Sequence, residues 1–167
     1  MESITELGNI ITDKLKNGSK LQDLRSFLTF THFNVDNLKI LFNELNCVKT
    51  NVYSNEYIDI FIICWNNNQY SKIHDHAEKG CLMKVLKGEL QEDLYCFGPA
   101  STSPLQGKRP ITQPAYIRSM ILQDNDVSYR EGNEYLHNIV NKNCKTISLH
   151  IYSPPGYKTN YYDLKDV

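Results

Sequence analysis

Past residue 51 the apolar residues of this chain stop recurring every three or four positions and gather into short runs rich in β-branched and aromatic side chains. Residues 58–65, 81–87, 89–97, 115–122 and 146–152 each predict a strand. Gly88 stands between the second and third of these, as a hairpin turn requires. Residues 98–114, with Gly98, Pro99, Pro104, Gly107, Pro110 and Pro114, predict a long loop that divides the strands into two groups. Ahead of this region the pattern is helical. Ile4, Leu7, Ile10, Ile11 and Leu15 follow the capping-box pair Ser3 and Glu6 and stop at Gly18 and Ser19. Leu21, Leu24, Phe27 and Leu28 predict a second helix, and Leu38, Leu41, Phe42 and Leu45 a third starting at Asn34. The expected fold is mainly β: a barrel or sandwich over 51–167 with the helices of 1–50 packed outside it.

The 167 residues, 41% of them hydrophobic, suit one domain spanning 1–167. Eighteen basic and nineteen acidic residues leave a charge of -1, with no Lys/Arg cluster among aromatics, so neither nucleic acid nor an anionic membrane is an expected partner. The longest apolar run, residues 60–65, is too short to cross a bilayer. The first twenty residues mix charge with periodic apolar positions, unlike a signal peptide, so a cytoplasmic protein is expected; separately, the chain is expected to be a monomer. Five cysteines without framework spacing predict mostly reduced thiols.

Four of the five histidines lie in strand-rich segments: His74 and His76 in Ile73-His74-Asp75-His76, His137 in Leu136-His137-Asn138, and His150 in Ser148-Leu149-His150-Ile151-Tyr152. Only His32 lies elsewhere. Alternate residues of a strand share a face, so His74 and His76 point together while Asp75 points away. A lone buried histidine is more often structural than a ligand, and H-x-H by itself is a weak signal. The surrounding spacing strengthens it, because it resembles the first cupin motif. Four residues separate His76 from Cys81, at the motif's acidic position, and six more lead to Gly88, at its glycine. Asn68 stands at the glycine expected before the histidines. Residues 137–141 match the H-x-x-x-N core of the second motif, with Gly132 and Glu134 at the places of its proline and glycine. The expected centre is one metal ion on His74, His76 and His137. Three neutral imidazoles leave a divalent ion's charge uncompensated and up to three octahedral positions open. A closed tetrahedral zinc site and an open iron(II) site both remain compatible with this set.

From about Lys49 to the carboxyl end the chain resembles the cysteine dioxygenase family of thiol dioxygenases. The resemblance rests on Cys64-Trp65, Ile73-His74-Asp75-His76 with Cys81 five places on, Leu136-His137 with Asn141, and residues 148–155, Ser-Leu-His-Ile-Tyr-Ser-Pro-Pro. It implies one Fe(II) per chain on His74, His76 and His137, with His150 beside it, and a thioether link between Cys81 and Tyr152. It also implies a small thiol, usually L-cysteine, and O2 as substrates, with a sulfinic acid as product. His150 and Tyr152 would orient substrate and oxygen, and Ser148, His150 and Tyr152 share one strand face as that role requires. The chain departs from the family where an arginine reads the substrate carboxylate, since Lys49 stands there and Cys47 replaces a nearby tyrosine. Lysine pairs with a carboxylate as a point charge without the bidentate fork. Two other readings compete: a cupin that binds a metal or small molecule without turnover, and a zinc-stabilised structural domain using Cys81 as a fourth ligand.

Overall fold

Helix α1 (Ile4–Lys16) begins where the capping signal stands: Ser3 is extended, and its hydroxyl accepts from Glu6 N at 3.1 Å. A 3-10 turn, Leu21–Leu24, leads directly into α2 (Arg25–Phe30). The computed structural model describes residues 3–35, 38, 40–97 and 114–164.

The third helix does not form; the described residues between 34 and 47 contain no α-helix. Asn43 explains the difference. Its side-chain oxygen accepts from the backbone N–H of Leu45 at 2.8 Å and of Asn46 at 3.2 Å, and its carbonyl accepts from Asn66 and Gln69. An asparagine bonded to its own backbone gives the chain an alternative to the helical ladder. Leu38, Ile40 and Phe42 pack on the core, whereas Leu41 and Leu45 of the expected apolar stripe are exposed, so the helical spacing does not mark the buried side of this irregular segment.

Ten strands follow among the described residues: β1 (Val48–Ser54), β2 (Asp59–Trp65), β3 (Ile73–His74), β4 (Cys81–Lys87), β5 (Leu90–Phe97), β6 (Pro114–Leu122), β7 (Val127–Arg130), β8 (Tyr135–Val140), β9 (Thr146–Tyr152) and β10 (Tyr161–Tyr162). The strand-forming part thus starts at Val48, inside the stretch expected to be helical. All five predicted strands form within one residue of their expected ends, whereas β1, β3, β7, β8 and β10 carry no run long enough to announce them. Of the expected long loop, residues 98–113 lie outside the described residues, and Pro114 opens β6.

The strands make two five-stranded antiparallel sheets, β1-β2-β9-β4-β7 and β10-β3-β8-β5-β6, in a cupin-type barrel. The first sheet is covered on both faces. Ile60, Ile62, Leu82, Leu149 and Ile151 meet Leu7, Ile11, Leu24 and Leu28 of the helices. Ile63, Trp65, Met83 and Val85 point into the barrel against Leu90, Leu122 and Ile139. Burial on both sides explains why β2 and β4 read as continuous apolar runs rather than alternating ones. Each fully buried leucine contributes about 2 kcal/mol to this packing.

Lys84 is also fully buried, on the helix side of β4. Its ammonium donates to the carbonyls of Leu28 at 2.9 Å, Thr29 at 3.1 Å and Thr31 at 2.7 Å, capping the end of α2. Gly88 turns β4 into β5 with φ of 96°, and a Cβ there would lie 2.5 Å from Thr146 Oγ1. No described helix is long and apolar enough to cross a membrane.

Candidate metal centre

Antiparallel pairing of β3 with β8 sets His74 directly opposite His137. His76 follows two residues later on the same side, its backbone N–H held by the Gly132 carbonyl at 2.9 Å. His137 Nε2 lies 2.9 Å from His76 Nε2 and 3.1 Å from His74 Nε2. Among the described residues these three form a cluster that could hold a metal ion, their ligand atoms all within 4.8 Å of one another.

The far nitrogens show how the rings are held. His74 Nδ1 donates to the Lys72 carbonyl at 2.7 Å, and His137 Nδ1 to Glu92 Oε1 at 2.6 Å. Each bond puts the proton on Nδ1 and leaves an Nε2 lone pair facing the centre. His76 Nδ1 is buried without a hydrogen-bond partner, so packing alone orients that ring. Burial lowers all three pKa values, those of His76 and His137 well below the usual imidazole range. The rings are therefore neutral, the form that ligates. Lone pairs converging this closely repel one another unless a cation or proton sits among them. The donor set fits a divalent metal ion.

Glu92 is the residue that sequence reasoning passed over. It is fully buried on β5, and besides His137 it accepts from Ser128 Oγ at 2.8 Å and Arg130 Nη2 at 2.8 Å. A signal for it existed: Glu92 lies between Leu90 and Leu94 on the inward face of an alternating strand, and an inward acid requires partners. Asn141 has a bracing role, its amide donating to the carbonyls of Trp65 and Asn66.

Ser148, His150 and Tyr152 project from β9 toward the same cavity. Trp65 Nε1 donates to Ser148 Oγ at 2.9 Å, leaving the hydroxyl proton for His150 Nε2, also at 2.9 Å. Burial holds the His150 pKa well down, so this ring is neutral too. The His150 and Tyr152 rings lie nearly parallel, with centroids 6.3 Å apart. Across the β4–β9 ladder Cys81 is registered directly against Tyr152, and the two pack together with Ala77. Burial pushes the Cys81 thiol up to about 12 and the Tyr152 phenol well above its ordinary value. Both therefore carry their protons. Cys81 does not belong to the three-histidine cluster that could hold a metal, contrary to the four-ligand zinc reading.

A cavity of about 120 Å³ opens beside the histidines, lined by Cys47, Lys49, His74, His150, Tyr152 and Tyr161 among others. It admits only a small molecule. Lys49 on β1 is solvent-exposed as a residue, yet its ammonium is turned onto two aromatic rings, 4.2 Å from the Phe61 ring centroid and 4.5 Å from that of Tyr152. Partial desolvation of the ammonium lowers its pKa, while the Asp59 carboxylate acts in the opposite sense. The fold thus brings every sequence-derived candidate to one place: three histidines converge, Lys49, His150 and Tyr152 line the adjoining cavity, and Cys81 faces Tyr152. A larger cavity of about 570 Å³, lined by Leu15, Lys20, Tyr57 and Tyr129 among others, shares no lining residue with this one.

A family model described as "Cysteine dioxygenase type I" matches residues 22–165. Cysteine dioxygenase type 1 of Danio rerio is 31% identical over 111 residues, covering 65% of this chain and 51% of that protein. The Homo sapiens protein of the same name is 29% identical over 111 residues, with the same coverage of 65% and 51%. The chain spans about half the length of the curated relatives it matches. Among solved structures, a conserved Klebsiella pneumoniae protein with a double-stranded β-helix domain superposes with a TM-score of 0.56 at 13% identity, covering 78% of this chain and 96% of that one. That likeness concerns the fold alone.

Proposed function

The chain belongs to the cysteine dioxygenase family, and from that premise we propose that it is an iron-dependent thiol dioxygenase converting L-cysteine or a similar small thiol, with O2, to a sulfinic acid. The observation that carries this reading is the cavity itself, where the Lys49 ammonium, a neutral histidine and a tyrosine line a space that reaches His74 of the three-histidine cluster.

His74, His76 and His137 would hold the iron through Nε2. Bound there, iron(II) supplies the Lewis acidity that favours the thiolate and the redox chemistry that activates dioxygen. The residues around it do the rest. Lys49, anchored over Phe61 and Tyr152, presents its charge to a substrate carboxylate, fixing the thiol end toward the histidines. The Trp65–Ser148–His150 chain sets the His150 proton on Nδ1 and keeps the ring from turning. Tyr152 offers a phenol proton from the same strand face. Cavity walls of Ile63, Trp65 and Ile139 exclude bulk water from the sulfur.

The register of Cys81 against Tyr152 supports a thioether link between them. Its formation removes one hydrogen from the thiol and one from the phenol ring, a two-electron oxidation for which dioxygen is the oxidant.

Iron analysis together with oxygen consumption on a thiol panel tests the proposal. About one iron per chain and stoichiometric sulfinate from a small thiol are expected. His137→Ala should lose both metal and turnover. Full iron occupancy in His137→Ala, or no oxygen uptake with any thiol by iron-loaded protein, would overturn the assignment.

A further inference from the structure

Asp75 lies between His74 and His76, 3% exposed, with its side chain turned away from theirs. Its carboxylate is fully bonded by one segment. Oδ1 accepts from Tyr157 Oη at 2.6 Å and Asn160 N at 2.8 Å; Oδ2 accepts from Asn160 Nδ2 at 2.7 Å and Tyr162 Oη at 3.1 Å. The Asp75 N–H in turn donates to the Asn160 carbonyl at 3.3 Å. A buried carboxylate is costly unless such partners are all in place, so the segment and the acid fix each other.

The same segment walls the cavity. Beyond Asn160, β10 pairs with β3 so that Tyr161 is opposite His74. Thr159 and Tyr161, the residues flanking Asn160, line the cavity, and the Tyr161 ring centroid stands 6.2 Å from that of His74. Tyr161 is 63% exposed and has little packing of its own, so its place depends on neighbours tied to Asp75. Tyr157 packs against Cys81 and Tyr152, and Tyr162 against Ile73 and Leu136.

We propose that Asp75 is a positioning residue that fastens residues 157–162 as a strap beside the metal centre, and that Thr159 and Tyr161 on this strap limit the size of thiol admitted. The identity of the ligand rests on the thiol dioxygenase reading; the strap itself does not. Its test therefore includes a readout independent of turnover. Trp65 is the one tryptophan of the chain, is buried and lines the cavity, so acrylamide quenching of its fluorescence reports cavity access.

Metal-loaded Asp75→Ala and Tyr161→Ala should both show stronger quenching than the unmutated protein. Asp75→Asn, which retains one acceptor oxygen, should fall between. In kinetics the ratio of kcat/KM for a bulkier thiol such as N-acetylcysteine to that for L-cysteine should rise about tenfold in either alanine variant. Metal content should stay at the unmutated level. Unchanged quenching and an unchanged ratio in Tyr161→Ala would overturn the strap, and because that side chain is largely exposed, the variant tests it even where Asp75→Ala fails to fold. Loss of metal in Asp75→Asn without any rise in quenching would also overturn it, making Asp75 a support for the histidines alone. A protein that consumes no thiol would sink the proposed activity, while the quenching arm would still decide the strap.

Discussion

Glu92 Oε1 stands 2.6 Å from His137 Nδ1, on the side of the imidazole opposite the nitrogen that meets His74 and His76. The carboxylate thereby holds the ring's orientation and tautomer and raises its basicity as a ligand. Arg130 and Ser128 keep the acid in place, so the arrangement extends from β5 through β7 to β8.

Glu92→Gln should weaken metal binding by about 10- to 100-fold, because the amide retains the shape but loses the charge. Competition against a chelator of known affinity measures this. An affinity equal to that of the unmutated protein would mean that the carboxylate contributes shape alone.

Lys49 reads the substrate carboxylate in the proposed mechanism, so cysteamine, which lacks that group, should be a poorer substrate than L-cysteine. Lys49→Ala should erase the difference, which amounts to about 1.5 to 3 kcal/mol of discrimination, the range for hydrogen bonds to charged groups. Lys49→Arg should keep it if the planar fork fits. Equal kcat/KM for both thiols in the unmutated protein would remove Lys49 from this role.

The Cys81–Tyr152 register predicts a fraction of purified protein lighter than the encoded chain by two hydrogens, running as a second band on a denaturing gel. Cys81→Ser should leave a single band at the encoded mass and retain partial activity. Intact-mass spectrometry after aerobic turnover decides it, and a persistent second band in Cys81→Ser would exclude this pair.

His150 is neutral in the folded state, its pKa well below the ordinary 6.5 because burial opposes the charged form. Between these two values the unfolded chain binds the proton and the folded chain does not, so stability falls as pH drops below about 6.5. Denaturant unfolding of metal-free protein should therefore show His150→Gln losing about 1 kcal/mol less than the unmutated protein between roughly pH 6.5 and 5.5. An identical pH slope would mean that His150 is not held neutral.

Lys84→Met should destabilise the fold by about 2 kcal/mol, since three carbonyls at the end of α2 lose their donor inside the protein. Metal content should be unaffected, because Lys84 faces the helices rather than the cavity. A denaturation midpoint equal to that of the unmutated protein would show that water replaces the ammonium without cost.

The sequence alone determined whatever depends on local periodicity. Strand alternation put His74 and His76 on one face and Ser148, His150 and Tyr152 on another, and the apolar runs at 58–65, 81–87 and 146–152 marked strands. Motif spacing then pointed to His137 as the expected third ligand, and the family resemblance, not spacing, implied Cys81 as the partner of Tyr152. Tertiary structure decided everything that depends on which strands are neighbours. Glu92 reaches His137 only because β5 pairs with β8, and Asp75 meets Tyr157, Asn160 and Tyr162 only because β10 returns to β3. Lys49 and its distance from the Tyr152 ring depend on β1 joining the sheet next to β2. Residues 34–47 show the converse: their spacing predicted a helix, and the Asn43 contacts with Asn66 and Gln69, invisible in a single segment, held the chain in an irregular path. Hydrogen bonds between residues distant in sequence have no period along the chain, which is why such contacts appear only once the strands are assembled.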